Sequence, residues 1–411
     1  MSRKLRRGRT RVFHKRKFPV KAVGWILAAA VIIPGSFFGA KYMLENRPAS
    51  QPNVSAPPAS RPAAATPEGS APPADTPEPD APAGGALKAF YLPTAQLADD
   101  AKLAASLSAA KAAGFNAVVF DLKDSEGNLL YASSTELALQ VPAASGALSA
   151  DALKAAFDRI LAQGMAPVPR LYAFQDHVAP RHLSAAKITL PDQPTWTWYD
   201  GDPKNGGKPW LNPYSPVAHR YITDMLKELK AAGASTILLD GVQFPKRTSG
   251  ASFGNTEYAA QSKAEVLATF IASANAAMDG GRVVLSAPGL AALGADTAVY
   301  GGNPVTFGAG GAAPVLAPAT LGSKLTVGDT QVENPTAHPY EAVKAALSQI
   351  QLRLQVIDAA KRPALTPWIQ GYDCSAADIK EQIRAVTEVL GQDASYLLVN
   401  PSGAYDFAAL S

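Results

Sequence analysis

From residue 87 onward, short apolar runs alternate with alanine-rich amphipathic stretches. Eight apolar runs have the length of strands, and they cover residues 87–93, 117–123, 166–174, 235–244, 282–288, 315–321, 364–370 and 395–400. Stretches with helical periodicity lie between them, at residues 97–113, 149–163, 216–232, 257–279, 339–359 and 375–390. This alternation is typical of βα units around a parallel sheet. The sequence therefore predicts an α/β fold over residues 87–411.

The number of runs favours one kind of parallel sheet. Eight strands between residues 87 and 411 suit a (β/α)8 barrel, the TIM barrel, in size and order. An open doubly wound sheet is the alternative, but no glycine-rich phosphate turn follows the first run. The sixth run, VLAPATL at residues 315–321, is the best strand candidate in a region rich in Gly, Ala and Pro. We therefore expect a TIM barrel over residues 87–411.

A basic stretch and an apolar run precede this region. About ten Lys and Arg residues lie within residues 1–21, which gives the formal net charge of +4 to a chain that is otherwise mildly acidic. Residues 22–40 are uncharged and long enough to span a bilayer as a helix. Flanks rich in Lys and Arg stay in the cytoplasm. We therefore expect a single-pass anchor at residues 22–42, with the N-terminus inside. A cleavable signal peptide is the rival interpretation, because it shares these features.

Residues 43–86 are dominated by Pro, Ala and Ser and contain almost no large apolar side chain. Such a composition cannot bury enough surface to fold, so we expect a disordered, extended linker. The predicted organisation is a basic cytoplasmic tail (1–21), a transmembrane signal anchor (22–42), the linker (43–86) and an extracytoplasmic barrel domain (87–411). The cell membrane is thus a predicted partner through the N-terminal helix.

Composition argues against several classes of function. Cys374 is the single cysteine, which excludes an intramolecular disulfide and a cysteine-rich metal site. The five His residues are scattered without an HxxxH-type pair, so we expect no metal and no cofactor. The basic residues precede the apolar run and the folded part is not basic, so we expect no nucleic-acid partner. The sequence does not indicate an oligomeric state.

Polar residues gather at the ends of the predicted strands, where the active site of a TIM barrel forms. They are Asp121, Lys123, Asp124, Arg170, Gln175, Asp176, Asp240, Gln243, Trp368, Gln370, Asp373 and Asn400. Carboxylates can perform acid–base chemistry, amides can bind hydroxyl groups, and an aromatic ring can face the apolar side of a pyranose. This combination predicts a polysaccharide or glycan substrate.

Two of these acids are the candidate catalytic residues. Glycoside hydrolysis uses two carboxyl groups at a defined separation, one of them protonated. Asp121 and Asp240 end strands that are two apart, so we expect them to face one another across the barrel mouth. Asp240 would be the nucleophile or base and Asp121 the second carboxylate. The residues expected to bind the substrate are Lys123, Arg170, Asp176, Gln243, Trp368, Gln370, Asp373 and Asn400.

Less specific interpretations apply to several of these residues. An Asp after a strand is also a common helix cap or turn former. Arg170 is expected to form an ion pair with one of the acids, and that pair could be purely structural. Trp196, Trp198 and Trp210 follow the third strand and are either lid residues or a satellite apolar cluster.

The order of motifs resembles a bacterial family of putative glycoside hydrolases with a TIM-barrel fold, a domain of unknown function. Three stretches carry the resemblance: FNAVVFDLKDSEGNLLY, PVPRLYAFQD and KPWLNPYSPVAHRYITDMLKELKAAGASTILLDGVQFP. The family's versions are close to NAVVIDVKDDxG, R-x-x-x-F-K-D and F-D-Y-x-R-F-P. The matching positions are Asp121, Lys123, Asp124, Gly127, Arg170, Phe174, Asp176, Asp240, Phe244 and Pro245. With PYEAVKAAL and TPWIQGYD, the likeness covers most of residues 87–411. It implies a TIM-barrel glycoside hydrolase.

The chain also departs from this pattern. Gly241 and Gln243 stand where the family has Tyr and Arg, and Val399 stands where it usually has Trp. The family's fifth strand tends to end on S-A-D, whereas this one reads Ser-Ala-Pro and ends at Pro288. If the missing acid is essential, the barrel binds glycans without cutting them.

Three hypotheses follow. The first is a tethered glycoside hydrolase that acts on an envelope or extracellular polysaccharide. The second is an inactive glycan-binding barrel that uses Trp368, Gln370, Asn400 and the loop tryptophans, and the third is an envelope scaffold. Asp296 and Glu333 are further acids that the later loops could bring to the site. The sequence indicates neither the sugar, nor the linkage, nor whether the reaction retains or inverts configuration.

Overall fold

Eight parallel strands close into a barrel in the computed structural model, which describes residues 85–411. The barrel strands are β1 (Lys88–Tyr91), β2 (Ala117–Lys123), β3 (Ala166–Tyr172), β4 (Thr236–Asp240), β5 (Arg282–Pro288), β6 (Gly311–Val315), β7 (Trp368–Gln370) and β8 (Tyr396–Val399). Each strand pairs in parallel with its neighbours in chain order, and β1 pairs with both β2 and β8. This closed ring confirms the predicted TIM barrel.

Helices connect successive strands. They are α1 (Asp100–Ala112), α2 (Ala150–Ala162), α3 (Pro216–Ala231), α4 (Lys263–Met278), α5 (Gly289–Ala292), α6 (Pro339–Leu354) and α7 (Ala376–Leu390). Five of them begin after a residue whose side chain accepts a hydrogen bond from the first turn: Asp99, Ser149, Ser215, Ser262 and Ser375. Such N-caps satisfy backbone N–H groups that a helix leaves unpaired. They set where each helix begins.

Side chains alternate between the two faces of each barrel strand. The outward residues pack against the helices in the main core, and the inward residues form a second, smaller core inside the barrel. The buried residues of the inner core are Ala89, Ala117, Val119, Val168, Leu238, Val284, Ala313, Trp368 and Leu397. Most are small or β-branched, which suits the limited space inside an eight-stranded barrel.

The next inward layer toward the C-terminal ends of the strands is polar. Asp121 lies two residues beyond Val119, and Asp240 lies two residues beyond Leu238. Because the period of a strand is two residues, these acids point to the same side of the sheet as the apolar residues below them. The strand pattern therefore carries both acids to the mouth of the barrel.

Additional short strands lie outside the eight strands of the barrel. Leu129–Tyr131 and Ala143–Leu148 extend the sheet beside β2, and Ala364–Leu365 pairs with β6. Two antiparallel pairs lie outside the barrel, Thr189–Leu190 with Gln193–Thr197 and Lys324–Val327 with Thr330–Glu333. Ala364–Leu365 is the first part of the predicted seventh strand at residues 364–370, which the structure divides into this short strand and β7. The other short strands were not predicted, since most are too short to show a period.

The predicted position of the sixth strand was wrong. We expected it at residues 315–321, but β6 is Gly311–Val315, and residues 318–320 form a short 3-10 helix. A run of Gly and Ala has the composition of a loop. Here these small residues allow close packing, because a Cβ on Gly311 would already lie 3.0 Å from Cγ2 of Val284.

Two helices are shorter than predicted. The stretch 257–279 becomes helical only at Lys263, after a capping box formed by Ser262 and Glu265, and the stretch 339–359 ends its helix at Leu354. The predicted tail, anchor and linker (1–86) lie outside the described residues, apart from residues 85 and 86. Within residues 85–411, no helix has the length and apolar character needed to cross a bilayer.

Candidate active site

The C-terminal ends of the barrel strands surround a cavity of about 450 Å³. Its lining residues are Ser125, Arg170, Tyr172, Gln175, Asp240, Gln243, Ser286, Pro288, Tyr300, Val315, Ala317, Thr320, Trp368, Tyr372, Val399 and Pro401. This end of the barrel is where the active sites of the fold form, and the volume is typical of a small-ligand site. Four of the predicted site residues line the cavity: Arg170, Asp240, Gln243 and Trp368.

Arg170 lies between the two acids that we expected to be catalytic. It is the register partner of Asp121 on the neighbouring strand. Its Nε and Nη2 donate hydrogen bonds to Oδ1 and Oδ2 of Asp121, the second over 2.9 Å. Its Nη1 lies 3.7 Å from Oδ2 of Asp240. The guanidinium group therefore connects Asp121 and Asp240 and balances part of their negative charge.

The surroundings of Arg170 keep it protonated and oriented. Burial alone would lower the pKa of the guanidinium, but the charge of Asp121, the hydrogen bonds to it and neighbouring acidic groups raise that pKa well above its usual value. The guanidinium carbon lies 5.0 Å from the ring centroid of Trp368, 5.2 Å from that of Tyr172 and 5.5 Å from that of Tyr91. These cation–π contacts hold the group in one orientation.

Both carboxylate oxygens of Asp121 already accept hydrogen bonds within the protein. The hydroxyl of Tyr91 donates to Oδ2 over 2.9 Å, in addition to the two bonds from Arg170. Asp121 is 8% exposed and does not line the cavity. Burial, followed by the charge of Asp121, raises the pKa of Tyr91 well above its usual value, so this phenol remains a donor. Because Asp121 is paired with Arg170 and does not line the cavity, it is unsuited to protonate a leaving group there.

Asp240 is the acid that a ligand in the cavity can reach. Its Oδ1 accepts a hydrogen bond from the backbone N–H of Gly241 over 2.8 Å. Its Oδ2 receives no hydrogen bond from the described residues and has Arg170 as its charged neighbour. Among the described residues that line the cavity, Asp240 alone is acidic.

Two tyrosines place phenol groups near Asp240. Burial, followed by the charge of Asp240, raises the pKa of Tyr172 and of Tyr300 well above the usual value. Both phenols are therefore hydrogen-bond donors at neutral pH. The hydroxyl of Tyr300 donates to Oε1 of Gln243 over 2.9 Å, which orients that amide at the edge of the cavity.

The turn after β4 requires glycine at position 241. Gly241 has a φ of +58°, and a Cβ on it would lie 2.8 Å from Cβ of Gln175 and 3.0 Å from Cδ1 of Tyr172. The left-handed conformation is unfavourable for residues with a Cβ. Tyr172 and Gln175 therefore occupy the space that a side chain at position 241 would need.

A sequence model described as "putative glycosyl hydrolase domain" matches residues 89–405. The chain belongs to this glycosyl hydrolase family. The match extends from β1 past β8, and it confirms both the resemblance that the motifs indicated and the predicted glycoside hydrolase class. No match was found among curated proteins.

Solved structures with similar chains include the glycoside hydrolase domain of PelA from Pseudomonas aeruginosa, which is 13% identical over 78% of this chain and 98% of that chain, with a TM-score of 0.39. A hypothetical protein from Ruminiclostridium thermocellum is 22% identical over 48% of this chain and 96% of its own, with a TM-score of 0.40. An α-galactosidase from Thermus thermophilus is 12% identical over 80% of this chain, with a TM-score of 0.44. The chain spans 62% of the length of that enzyme.

Two residues of the glycosyl hydrolase family motifs lie beneath the site. We expected Lys123 and Asp176 to bind substrate, but both side chains are fully buried, with 2.8 Å between Nζ and Oδ2. Nζ of Lys123 also donates to the carbonyl oxygen of Tyr172 over 2.6 Å. Oδ1 of Asp176 accepts hydrogen bonds from the backbone N–H groups of Val178 and Ala179. The pair cannot contact a substrate, and it connects the ends of β2 and β3 instead.

Three more predicted substrate-binding residues do not line the cavity of this glycosyl hydrolase domain. Oε1 of Gln370 accepts a hydrogen bond from a backbone N–H and its Nε2 donates to a backbone carbonyl, so its amide is already used. Nδ2 of Asn400 donates to a backbone carbonyl in its own loop. Asp373 is exposed, in a turn with a φ of +48°. None of these three residues therefore lines the cavity, and their role in binding substrate stays a prediction.

The prediction missed several residues of the cavity, both on a strand and in loops. Tyr172 follows Arg170 by two residues on β3, so the strand period could have indicated it. Tyr300 and Tyr372 lie in loops without periodicity and gave no such signal. The loop tryptophans separate into two groups: Trp198 and Trp210 form a buried satellite cluster with Ile188, whereas Trp196 is 63% exposed.

Proposed function

We propose that the barrel hydrolyses glycosidic bonds of a polysaccharide at its C-terminal mouth, with Asp240 as the catalytic carboxylate. The position of Asp240 carries this proposal, because its Oδ2 receives no hydrogen bond from the described residues and the residue lines the cavity. Arg170 provides a positive charge 3.7 Å from this oxygen, which suits an ionised carboxylate. An ionised carboxylate beside the anomeric carbon is the nucleophile of a retaining glycosidase.

In this proposal Arg170 and Asp121 position the nucleophile. Asp121 holds the guanidinium by two hydrogen bonds, and the third nitrogen then faces Asp240. Asp121 is thus a positioning residue rather than the second catalytic carboxylate. The phenol of Tyr172 and the amide of Gln243 are the donors at the cavity wall that would bind sugar hydroxyl groups.

A retaining hydrolase also protonates the leaving-group oxygen. β5 ends at Pro288, so that strand brings no acid to the cavity. Glu333 lies in a hairpin and pairs with Lys324 over 2.7 Å. Asp296 is exposed and lies four residues before Tyr300, which lines the cavity. We propose Asp296 as the proton donor, because its loop reaches the cavity at Tyr300.

Two kinds of substrate distinguish the proposed role of Asp240 from that of Asp296. In the first step a polysaccharide needs both a nucleophile and a proton donor, whereas an aryl glycoside with a good leaving group needs only the nucleophile. In the second step the residue that acted as the acid serves as the base that activates water, whichever substrate was used. With the full chain in detergent, Asp240→Asn should abolish turnover of both. Asp296→Asn should abolish release of reducing ends from polysaccharides. With activated aryl glycosides it should still release the aryl alcohol in a rapid first turnover, followed by slow steady-state turnover that azide, a nucleophile that needs no base, accelerates. Unchanged hydrolysis by Asp240→Asn would refute the central assignment.

A glycan-binding barrel without hydrolysis is the second candidate. Its support is that a single carboxylate lines the cavity, where glycoside hydrolysis normally uses two. Binding on a glycan array, with turnover of neither polysaccharides nor activated aryl glycosides by the wild-type chain, would establish this candidate. Absence of any glycan binding would exclude it and leave the scaffold hypothesis.

We further propose that the barrel acts outside the cytoplasm on an envelope or extracellular polysaccharide. The support is in the sequence: a basic tail (1–21), an uncharged run within residues 22–42 and a Pro-rich linker (43–86). Protease added to intact spheroplasts should remove the barrel from a membrane-bound chain. Protection of the barrel in intact spheroplasts and its digestion only after their lysis would contradict this orientation.

A further inference from the structure

The cavity at the barrel mouth continues into a second one. This second cavity has a volume of about 460 Å³, and Gln175 and Gln243 line both cavities. A sugar chain bound beside Asp240 can therefore pass over these two amides into the second cavity. The two cavities together form a groove with room for more than one sugar unit, which suits a polymer better than a monosaccharide.

One wall of the second cavity is a rigid loop with little side-chain bulk. Both oxygens of Asp200 are used, because Oδ1 accepts from the backbone N–H of Lys208 over 2.7 Å and Oδ2 accepts from Nε1 of Trp210 over 2.9 Å. Gly207 packs so closely on Gly201 that a Cβ on Gly207 would lie 2.2 Å from the carbonyl oxygen of Gly201. The loop thus presents mainly backbone to a ligand, in a preorganised shape.

The opposite wall carries positive charge that the protein does not neutralise. Lys246 and Arg247 follow the β4 turn directly, line the second cavity and are exposed. Neither side chain has an ion pair or a hydrogen bond among the described residues. Nearby Lys208 differs, since its Nζ binds both carboxylate oxygens of Glu126 over 2.6 and 2.7 Å. Two cations thus remain available to a ligand in this cavity.

We propose that the second cavity is a subsite for an anionic sugar unit, so that the substrate is an acidic polysaccharide whose units carry carboxylate groups. This inference rests on the proposed function, because it assumes that the polysaccharide binds beside Asp240. Arg247 can bind a carboxylate through two parallel hydrogen bonds, and Lys246 adds a compact positive charge. The neutral amides of Gln175 and Gln243 between the cavities would bind hydroxyl groups of the connecting unit.

Binding to a hydrolysis-deficient chain tests this subsite independently of catalysis. The full-length Asp240→Asn chain in detergent would be titrated with oligouronides of galacturonate, mannuronate and glucuronate. Each acidic oligomer is compared with the same oligomer after reduction of its carboxyl groups to neutral alcohols. We expect at least one acidic oligomer to bind about tenfold more tightly than its reduced form, the difference expected for charged hydrogen bonds. The difference should shrink as the salt concentration rises.

Variants locate the source of this preference. Adding Lys246→Gln and Arg247→Gln should bring the acidic oligomer close to the affinity of its neutral partner. The control is Lys111→Gln with Lys361→Gln, two exposed cations outside the groove, and it should keep the preference. A preference unchanged in the Lys246 and Arg247 double variant, or equal binding of acidic and reduced oligomers, overturns the inference. Hydrolysis confined to neutral polysaccharides by the wild-type chain would overturn it while leaving the proposed hydrolase function intact.

Discussion

Arg170 holds Asp121 by both of its carboxylate oxygens. The two side chains are 14% and 12% exposed, so most of this ion pair is shielded from water. A buried pair is only weakly favourable relative to apolar residues, but removing one partner leaves a charge without compensation. The same guanidinium also faces Asp240, so the stability of the barrel mouth and the proposed chemistry depend on one side chain.

Arg170→Met should therefore lower the free energy of unfolding by about 3–5 kcal/mol, because it leaves Asp121 buried and unpaired. Urea denaturation followed by circular dichroism measures the change. Arg159→Met is the matched control: Arg159 pairs with Asp100, but these side chains are 37% and 68% exposed. Exposed pairs contribute about 1 kcal/mol or less. Equal effects of the two substitutions would contradict a special role for the Arg170 pair.

The buried pair of Lys123 and Asp176 gives a second prediction. Lys123→Met should destabilise the domain by about 3–5 kcal/mol, since Asp176 would keep a charge without its cation. The double variant Lys123→Met with Asp176→Leu should recover only part of this loss, because the leucine cannot accept the two backbone hydrogen bonds that Asp176 receives. Unfolding midpoints of the wild type and the two variants test the order. A double variant less stable than Lys123→Met would contradict it.

Gly241 allows a sharper test, since the chain contains a glycine in a similar conformation but in open space. Gly250 has a φ of +67° and nothing within 4 Å of a built Cβ, whereas a Cβ on Gly241 would collide with Gln175 and Tyr172. Gly250→Ala should cost about 1 kcal/mol, the conformational strain alone. Gly241→Ala should cost about 1–3 kcal/mol more, and it should reduce turnover because Tyr172 must move. Equal stability of the two variants would show that the turn adapts without strain.

The fold could be predicted from the sequence further than the site could. Apolar runs located seven of the eight strands, because the residue pattern of a buried strand is local in the sequence. The predicted position of β6 was wrong because small residues are needed there for close packing against the neighbouring strand. A local pattern of apolar residues does not show this requirement. The acids Asp121 and Asp240 were found from their strand ends. The difference between their surroundings could not be predicted. It depends on Arg170, which forms hydrogen bonds with Asp121 but only approaches Asp240, and these contacts join strands that are distant in the chain.

Polar residues at strand ends were also assigned to the cavity too readily. Gln370 is the last residue of β7 and Asn400 follows β8, yet the amide of each already forms hydrogen bonds with backbone groups. A sequence shows that a polar residue follows a strand, but it does not show whether a nearby backbone group has already taken its hydrogen bonds. Tyr300 lies in a loop, and the sequence of a loop has no periodicity from which the position of a side chain could be predicted.

His219 gives a prediction about pH. It is 4% exposed, its Nε2 lies 2.8 Å from the carbonyl oxygen of Pro213, and its ring packs against Phe174, Phe270 and Tyr258. Burial lowers its pKa to about 4, whereas an unfolded histidine has a pKa of about 6.5. Between these values the unfolded chain binds a proton that the folded chain does not. The free energy of unfolding should therefore fall as the pH drops from about 6.5 to about 4, and His219 should contribute no pH dependence above that range.

The full effect of His219 is at most about 3 kcal/mol, from a difference of about 2.5 pKa units. Chemical denaturation at several pH values between 4 and 7.5 measures the slope. His219→Gln should lower stability at pH 7.5 but flatten the slope, because glutamine does not titrate. His182 is exposed, so His182→Gln should leave the slope unchanged. If His219→Gln keeps the wild-type slope, carboxylates such as those at the barrel mouth, and not this histidine, control the acid sensitivity of the fold.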